Sequence, residues 1–268
     1  MIDPKVQAEL RARYNPDGSD LRKMQLRMLD MLKYIDKICR ENNIKYWLSS
    51  GTCLGAVRHG GFIPWDDDAD IELEKEDFKK LCKILKKKNR YFLQDYSTDS
   101  EYLHPFAKLR DPKSRLHEHH EYDKRYKFHG IFIDIFCIEP SSSLFLYKIS
   151  LLLQSKLFSI QHIKNKFIRT QTTKFLIISF RAIIFPLISF FSRFNNKGQY
   201  RHIPGSGFIY PRQKQDFTEI KYVTFEDTEL PIPYHAEEYL TKIYGDFLTL
   251  PLLDSIKPHA LNIEFKDN

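Results

Sequence analysis

The sequence predicts an α+β fold: a small mixed sheet with helices packed on it and a basic helical insert. Three observations lead there. Residues 21–42 set Leu21, Met24, Met28, Leu32, Ile35 and Cys39 at three- and four-residue steps, the apolar stripe of a helix that packs on one side. Residues 130–138 are apolar on both faces apart from Asp134, as a strand inside a sheet is. Between Glu139 and Asp216 the chain carries twelve Lys and Arg and no acidic residue, although its formal net charge is only +7. The remainder is therefore mildly acidic, and the basic segment stands apart from it. The 268 residues are enough for one full core, read here as one continuous domain. Within it we separate a catalytic core at 1–140, the insert at 141–200 and a C-terminal lobe at 201–268 that packs back on the core.

Taken in order, the helix at 21–42 has Ser19 or Asp20 to cap it and Glu41-Asn42-Asn43 to end it. A strand at 45–48, a turn at 49–51 and a short helix at 52–58 follow. Asp70-Ile71-Glu72-Leu73 alternates polar and apolar, the period of a half-buried strand. Residues two apart on a strand share a face, so Asp68 and Asp70 are expected to project together. A helix at 77–88 is basic towards its C-terminal end, as its dipole favours. Further strands are expected at 91–95, 106–110 and 130–138, with a pair at 222–226 and 230–233 around an acidic turn. Residues 237–243 read as a short helix that stops at Gly245. Cys39, Cys53, Cys82 and Cys137 are widely spaced and form no C-x-x-C pair, which fits reduced thiols in a cytoplasmic protein rather than a disulfide framework or zinc knuckle. The first residues contain no apolar run of the secretory type.

The chemistry concentrates at 49–73, where Asp66, Asp67, Asp68 and Asp70 crowd together. Like charges about 4 Å apart repel by about 4 kcal/mol at a surface-like dielectric. A fold that gathers them must protonate one, expose them to water or bind a cation. Phe62-Ile63-Pro64-Trp65 sets an apolar wall beside them, for which a solvated acidic loop has no use. Two carboxylates aimed at one point suit a hard cation such as Mg²⁺ (or Mn²⁺) that also holds phosphate oxygens. Gly51 allows close backbone approach, the N–H groups of the helix after it favour an anion, and Thr52 adds a hydroxyl. An anion cradle feeding a carboxylate pair points to nucleotide-phosphate chemistry.

Lys108 and Arg110, two apart on a strand, share a face and are placed to offset phosphate charge, Arg110 with a bidentate fork. Asp134, alone among Ile and Phe, is costly to ionise unless a cation or a donor meets it. We read it as the third carboxylate beside Asp68 and Asp70, a metal ligand or a base toward an attacking hydroxyl. His117, His119, His120 and His129 fall in one segment at spacings that match no helical metal pair, so 116–129 reads as a polar active-site flap rather than a zinc site. In the insert, 144–160 and 175–192 are apolar with Lys148, Lys156, Lys174, Arg181 and Arg193 at intervals. Its longest uncharged run, 182–192, has eleven residues, short of the roughly 20 that a bilayer crossing needs. Apolar surface interleaved with basic residues is the pattern of helices lying on an anionic membrane face. A helical insertion with a solvated basic side is the alternative, and the aliphatic content argues against nucleic acid as a partner.

The run Gly51-Thr52, Leu54-Gly55-Ala56-Val57-Arg58-His59, Gly61-Phe62-Ile63-Pro64-Trp65-Asp66-Asp67-Asp68 and Asp70-Ile71 resembles the signature of the LicD family. Lys108-Leu109-Arg110-Asp111, Gly130-Ile131-Phe132-Ile133-Asp134-Ile135-Phe136 and Tyr239-Leu240, Ile243-Tyr244-Gly245-Asp246-Phe247 extend the likeness in order along the chain. Cys53 departs from the commoner aliphatic residue, and the insert is the least similar part. The resemblance implies a polymerase-β-like nucleotidyltransferase fold, with Gly51-Thr52 as the Gly-Ser/Thr step, Asp68 and Asp70 as the D-x-D pair and Asp134 as the third carboxylate. It also implies transfer of phosphocholine or a related phospho-alcohol from CDP-choline or a similar CDP-linked donor. The acceptor would be a hydroxyl of a teichoic acid, lipopolysaccharide or other surface glycan, or of its lipid-linked precursor. In that scheme Asp68, Asp70 and Asp134 hold Mg²⁺, and Gly51, Thr52, Arg58, Lys108 and Arg110 meet the phosphates. The enzyme would be cytoplasmic and peripheral on the inner face of the membrane. A UDP-sugar glycosyltransferase, a nucleotidyltransferase acting on a small molecule and a non-catalytic glycan-binding protein are the competing readings.

Overall fold

The computed structural model describes residues 2–117, 122–194, 197–252, 256 and 263–266. Helix α1 (Pro4–Tyr14) opens the chain, with Asp3 accepting from the Lys5 N–H at its start. Helix α2 (Asp20–Glu41) is capped by the Ser19 hydroxyl and buries the stripe of Met24, Met28, Leu32 and Ile35. Then come β1 (Trp47–Leu48), α3 (Ser50–His59), β2 (Asp70–Glu74), α4 (Lys75–Leu85), β3 (Phe92–Gln94), β4 (Ala107–Arg110), β5 (Ser114–Leu116) and β6 (Phe132–Pro140). The strand expected to include Asp68 begins only at Asp70, so Asp68 lies in the extended approach to β2.

These strands build a mixed sheet in the order β1-β2-β6-β4-β3. Strands β2 and β6 are parallel, and every other pair in the sheet is antiparallel. Ile71, Leu73, Ile133, Ile135 and Leu109 are fully buried in one cluster with Met28, Leu32, Leu81 and Leu85, so α2 and α4 close one face of the sheet. The other face, on which Asp70, Glu72 and Asp134 project, is left for chemistry.

Beyond β6, α5 (Leu144–Ile160) is followed by α6 (Lys166–Ser179), a π turn at Phe180–Ile184 and α7 (Phe185–Ser192). Pro186 has no N–H to give and crowds the preceding turn; the widened π turn just before it absorbs both effects. The result is one continuous helix, Lys166–Ser192, 27 residues long. By length and composition it is long and apolar enough to cross a membrane, which the short uncharged run had argued against. Lys174 and Arg181 interrupt the charge-free run but not the helix. Ile177, Phe180, Phe185 and Ile188 pack on Leu103 and Leu157, while Phe145, Leu152, Phe167 and Phe175 are 65–73% exposed.

Strands β7 (Gln199–His202) and β8 (Arg212–Gln213) extend the sheet from the end of β6. Helix α8 (Lys214–Thr218) leads to the hairpin β9 (Ile220–Phe225) and β10 (Thr228–Pro233), which turns at Glu226-Asp227 as the sequence indicates. Helix α9 (Ala236–Tyr244) ends at Gly245 in a positive-φ conformation (68°), and β11 (Ile263–Phe265) pairs with β5. Phe225, Leu230, Ile232, Tyr239, Leu240 and Phe247 belong to the same buried cluster as α2 and the central strands.

Candidate active site

Asp70 opens β2 and is the register partner of Asp134 on β6. Asp134 is in turn the partner of Lys108 on β4. Paired residues of neighbouring strands project to the same face about 4.8 Å apart, so Asp70, Asp134 and Lys108 form a row across three strands. The Lys108 ammonium lies 2.7 Å from the Asp134 carboxylate and 3.4 Å from the centre of the Phe132 ring. The expected cation beside the carboxylates is thus present, but its first partner is Asp134.

Asp66 joins this group by a turn closed by the Asp66 N–H to the Ile63 carbonyl, 3.0 Å. Its carboxylate packs on the start of α3: a Cβ added at Gly51 would meet Asp66 Oδ2 at 2.9 Å. Burial and the charges of Asp68 and Asp67 push the Asp66 carboxyl well above the usual range. Burial and the charges of Asp68, Asp134 and Asp66 do the same to Asp70, with Lys108 opposing. Burial and the charges of Asp70, Asp66 and Asp68 raise the pKa of the phenol of Tyr244, at the end of α9, which is still 43% exposed. Asp66 and Tyr244 were not singled out from the sequence as site residues. Two carboxyls forced towards protonation by burial and by each other form a donor set that a divalent cation would relieve. Among the described residues no group of three or more His, Cys, Asp or Glu side chains is placed so that it could hold a metal ion.

Gly51 lies in the first turn of α3, and the Thr52 hydroxyl accepts from the Asp70 N–H at 2.8 Å, pinning β2 to that turn. Arg58 is buried, and its guanidinium donates to His59 Nε2 (2.9 Å), to the Phe247 carbonyl (2.8 Å) and to the Thr249 carbonyl (3.4 Å). Burial lowers its pKa, and the Asp66 charge raises it. Arg110 sits one register step beyond Lys108 and donates to Gln94 Oε1 (2.8 Å) and the Gly130 carbonyl (3.0 Å), with its plane over Phe132. Both arginines, expected to meet phosphate, have these donors engaged by the protein itself. Of the histidine flap, His117 meets Glu264 at 2.9 Å on the surface, and His119 and His120 lie outside the described residues.

Behind the row stands a buried network that sequence pattern did not reveal. Glu72, two residues beyond Asp70, is fully buried and accepts from Arg212 (2.6 Å), His202 Nε2 (2.7 Å) and Trp47 Nε1 (3.1 Å). Burial alone would raise its pKa; the Arg212 charge and the His202 bond outweigh that and hold it far below the carboxylate range. Burial keeps His202 below its ordinary pKa, so it meets Glu72 as a neutral donor. Arg212 also donates to the Tyr239 hydroxyl at 3.2 Å, which accepts from the Ser50 N–H at 3.0 Å and touches Ser49 Oγ at 3.1 Å. Ser50 has φ +46°, a left-handed conformation uncommon for a residue with a side chain. The network therefore reaches from under the carboxylates to the strained first residue of α3.

Residues 43–156 match the family model described as LicD/FKTN/FKRP, nucleotidyltransferase domain. Over 263 residues, 90% of this chain and 96% of the other, the sequence is 24% identical to the lipopolysaccharide cholinephosphotransferase LicD of Haemophilus influenzae. It is 42% identical over 45 residues (17% of this chain, 9% of the other) to the ribitol 5-phosphate transferase FKRP of Homo sapiens. It is 38% identical over 53 residues (20% and 12%) to the ribitol-5-phosphate transferase FKTN of Mus musculus. The domain match contains α3, β2, β4 and β6, the elements that carry the row of Asp70, Asp134 and Lys108 and the helix start beside it. The chain thus carries a match to the LicD-type nucleotidyltransferase domain at residues 43–156 and is similar to LicD over 90% of its length.

Proposed function

We propose that this protein is a metal-dependent phosphotransferase on a polymerase-β-like nucleotidyltransferase fold. It moves phosphocholine or a related phospho-alcohol from a CDP-linked donor to a hydroxyl of a surface glycan or its lipid-linked precursor. The observation that carries this reading is the register pairing of Asp70 with Asp134, with the Lys108 ammonium on Asp134 and the Asp66 carboxylate packed on the first turn of α3. Relatives named for cholinephosphate and ribitol phosphate transfer support the phospho-alcohol class.

Asp68, Asp70 and Asp134 would hold Mg²⁺ (or Mn²⁺), with Asp66 beside them, and the ion would supply positive charge to the donor pyrophosphate. The other roles fall to the chain itself. Gly51 and the first turn of α3 offer backbone N–H groups to a phosphate, and Thr52 keeps that turn registered on β2. Lys108 offsets the charge that builds on the departing CMP. Asp134 faces the acceptor: the acceptor's hydroxyl oxygen attacks the phosphorus that bears the alcohol, the P–O bond to CMP breaks, and the hydroxyl proton goes to the Asp134 carboxylate. Arg58 and Arg110 hold the scaffold rather than the substrate. We place the enzyme in the cytoplasm, peripheral on the inner face of the membrane, with the exposed apolar side of α5 to α7 against the lipid.

Release of CMP from CDP-choline, CDP-ribitol and CDP-glycerol, with and without Mg²⁺, tests the reading. One donor should be consumed only with metal, and Asp70→Asn should keep the fold by circular dichroism yet abolish release. Full activity of that variant, turnover of UDP-sugars alone, or pyrophosphate as the product would overturn it.

A further inference from the structure

Away from the carboxylates, a cavity of about 440 Å³ opens between α4, the Pro105 turn and α7. That size is ordinary for a site that takes a small molecule or one chain of a larger one. Phe78, Phe185, Pro186, Phe190 and Ile203 wall it, and Cys137 lies at its base on the sheet face opposite Asp134. Around this apolar space stand four cations: Lys75, Lys79, Arg181 and Arg193. Lys75 is paired with Glu139 and Lys79 with Glu76. Arg181 donates to the carbonyls of His104 (2.6 Å) and Leu103 (3.4 Å) and lies over the Tyr96 ring. Among the described residues no carboxylate forms an ion pair with Arg181 or Arg193; Asp95 and Glu76 act on them only through space. The lip continues outward into Leu187, Phe190, Phe191 and Phe194, all exposed.

An apolar interior, two guanidinium groups at its mouth and an apolar apron outside match one kind of molecule. We infer that this cavity binds a phosphate-bearing membrane lipid, its hydrocarbon chain between α4 and α7 and its phosphate on Arg181 and Arg193. A free phosphate has no use for the walls, and a neutral lipid has none for the cations. Arg181 also borders a second cavity, of about 290 Å³, that runs past Asp95 and Tyr96 to Phe106, so a head group larger than phosphate has room, with the Asp95 carboxylate suited to a donor on it. The inference rests on the proposed membrane face of the insert but assigns a defined site within it, independent of the transferase chemistry.

Two measurements on the full chain separate the site from the surface. Native mass spectrometry in mild detergent with phosphatidylglycerol should retain one lipid per chain. Arg181→Gln combined with Arg193→Gln should cut that occupancy about tenfold, roughly 1.4 kcal/mol, and Ile203→Trp, which fills the cavity, should do the same. Sedimentation with phosphatidylglycerol vesicles reports adsorption: Phe191→Ser with Phe194→Ser should weaken it and leave lipid occupancy unchanged. Vesicle binding without a retained lipid refutes the cavity and leaves the membrane face standing. Retained lipid without vesicle binding does the reverse. Wild-type occupancy in both the arginine and Ile203→Trp variants, each checked for fold by circular dichroism, or binding of inorganic phosphate or an acidic peptide in place of lipid, overturns the proposal.

Discussion

Tyr239→Phe removes one oxygen from a residue that makes no bond to any of the clustered carboxylates, yet it should damage both stability and turnover. The hydroxyl accepts from the Ser50 N–H and from Arg212 and touches Ser49. Arg212 keeps its bonds to Glu72, so the principal loss is the buried Ser50 N–H, left with no acceptor. An unmade buried hydrogen bond costs about 1–3 kcal/mol, and the weakened Arg212 contact adds about 1 kcal/mol. At about 2–4 °C per kcal/mol for a chain of this size, the melting temperature should fall by about 4–16 °C. Ser50 at φ +46° stores about 1–3 kcal/mol of backbone strain, and Tyr239 holds it there. Released, the turn relaxes and the N–H groups proposed to meet the phosphate move with it, for which about a tenfold fall in kcat is expected. Thermal denaturation and CMP release at saturating donor measure the two effects. A melting temperature within about 2 °C of wild type, with unchanged kcat, would show that the network neither holds Ser50 nor serves the site.

Glu226 accepts from Arg11 (2.6 Å), Arg22 (2.7 Å) and the Phe62 N–H (3.2 Å), tying α1 and α2 to the loop before the aspartates. Burial raises its pKa, but the two arginines outweigh that and hold it below the ordinary value. A depressed carboxyl stabilises the fold above its unfolded pKa, about 4.3, and loses that contribution as pH falls through the folded value. Glu226→Gln should therefore cost about 1–3 kcal/mol at pH 7 and flatten the acid limb of a urea-denaturation series; an unchanged limb contradicts the assignment. Gly130→Ala would drive a methyl group into the Asp111 carbonyl oxygen, on a backbone already fixed by the Asp111 N–H to the Ile131 carbonyl at 2.8 Å. A loss of about 3 kcal/mol is expected, read as a drop in melting temperature or soluble yield, and wild-type stability would mean that the β4 and β6 ends yield more easily than their hydrogen bonds suggest.

What the sequence made legible is what repeats locally. The stripe of α2, the apolar run of β6 and the acid-free stretch of α5 to α7 each follow from a period or a composition, and each formed where expected. Asp70 and Asp134 could be paired because a carboxylate inside an apolar strand needs a reason to be there. Distant partners were not legible. Glu72 looks like the outward residue of a half-buried strand until β7, β8 and α9 cover it with His202, Arg212 and Tyr239. Arg58 and Arg110 read as cations for a phosphate because charge is visible in sequence and carbonyl acceptors are not. Asp66 was passed over because its direction is set by a turn, not by a period. The Lys166–Ser192 helix outruns the uncharged stretch 182–192 because Lys174 and Arg181 break the run of apolar residues without breaking the backbone hydrogen bonding.

Arg58 fastens the helix at the front of the site to the carbonyls of Phe247 and Thr249, residues made almost two hundred positions later. During synthesis the aspartates emerge early, and α2, β2, β4 and β6 can pair long before this clamp exists. The anion cradle therefore gains its last support only when the late segment arrives. A nascent chain carries the acidic cluster before it has the carbonyls that fasten Arg58.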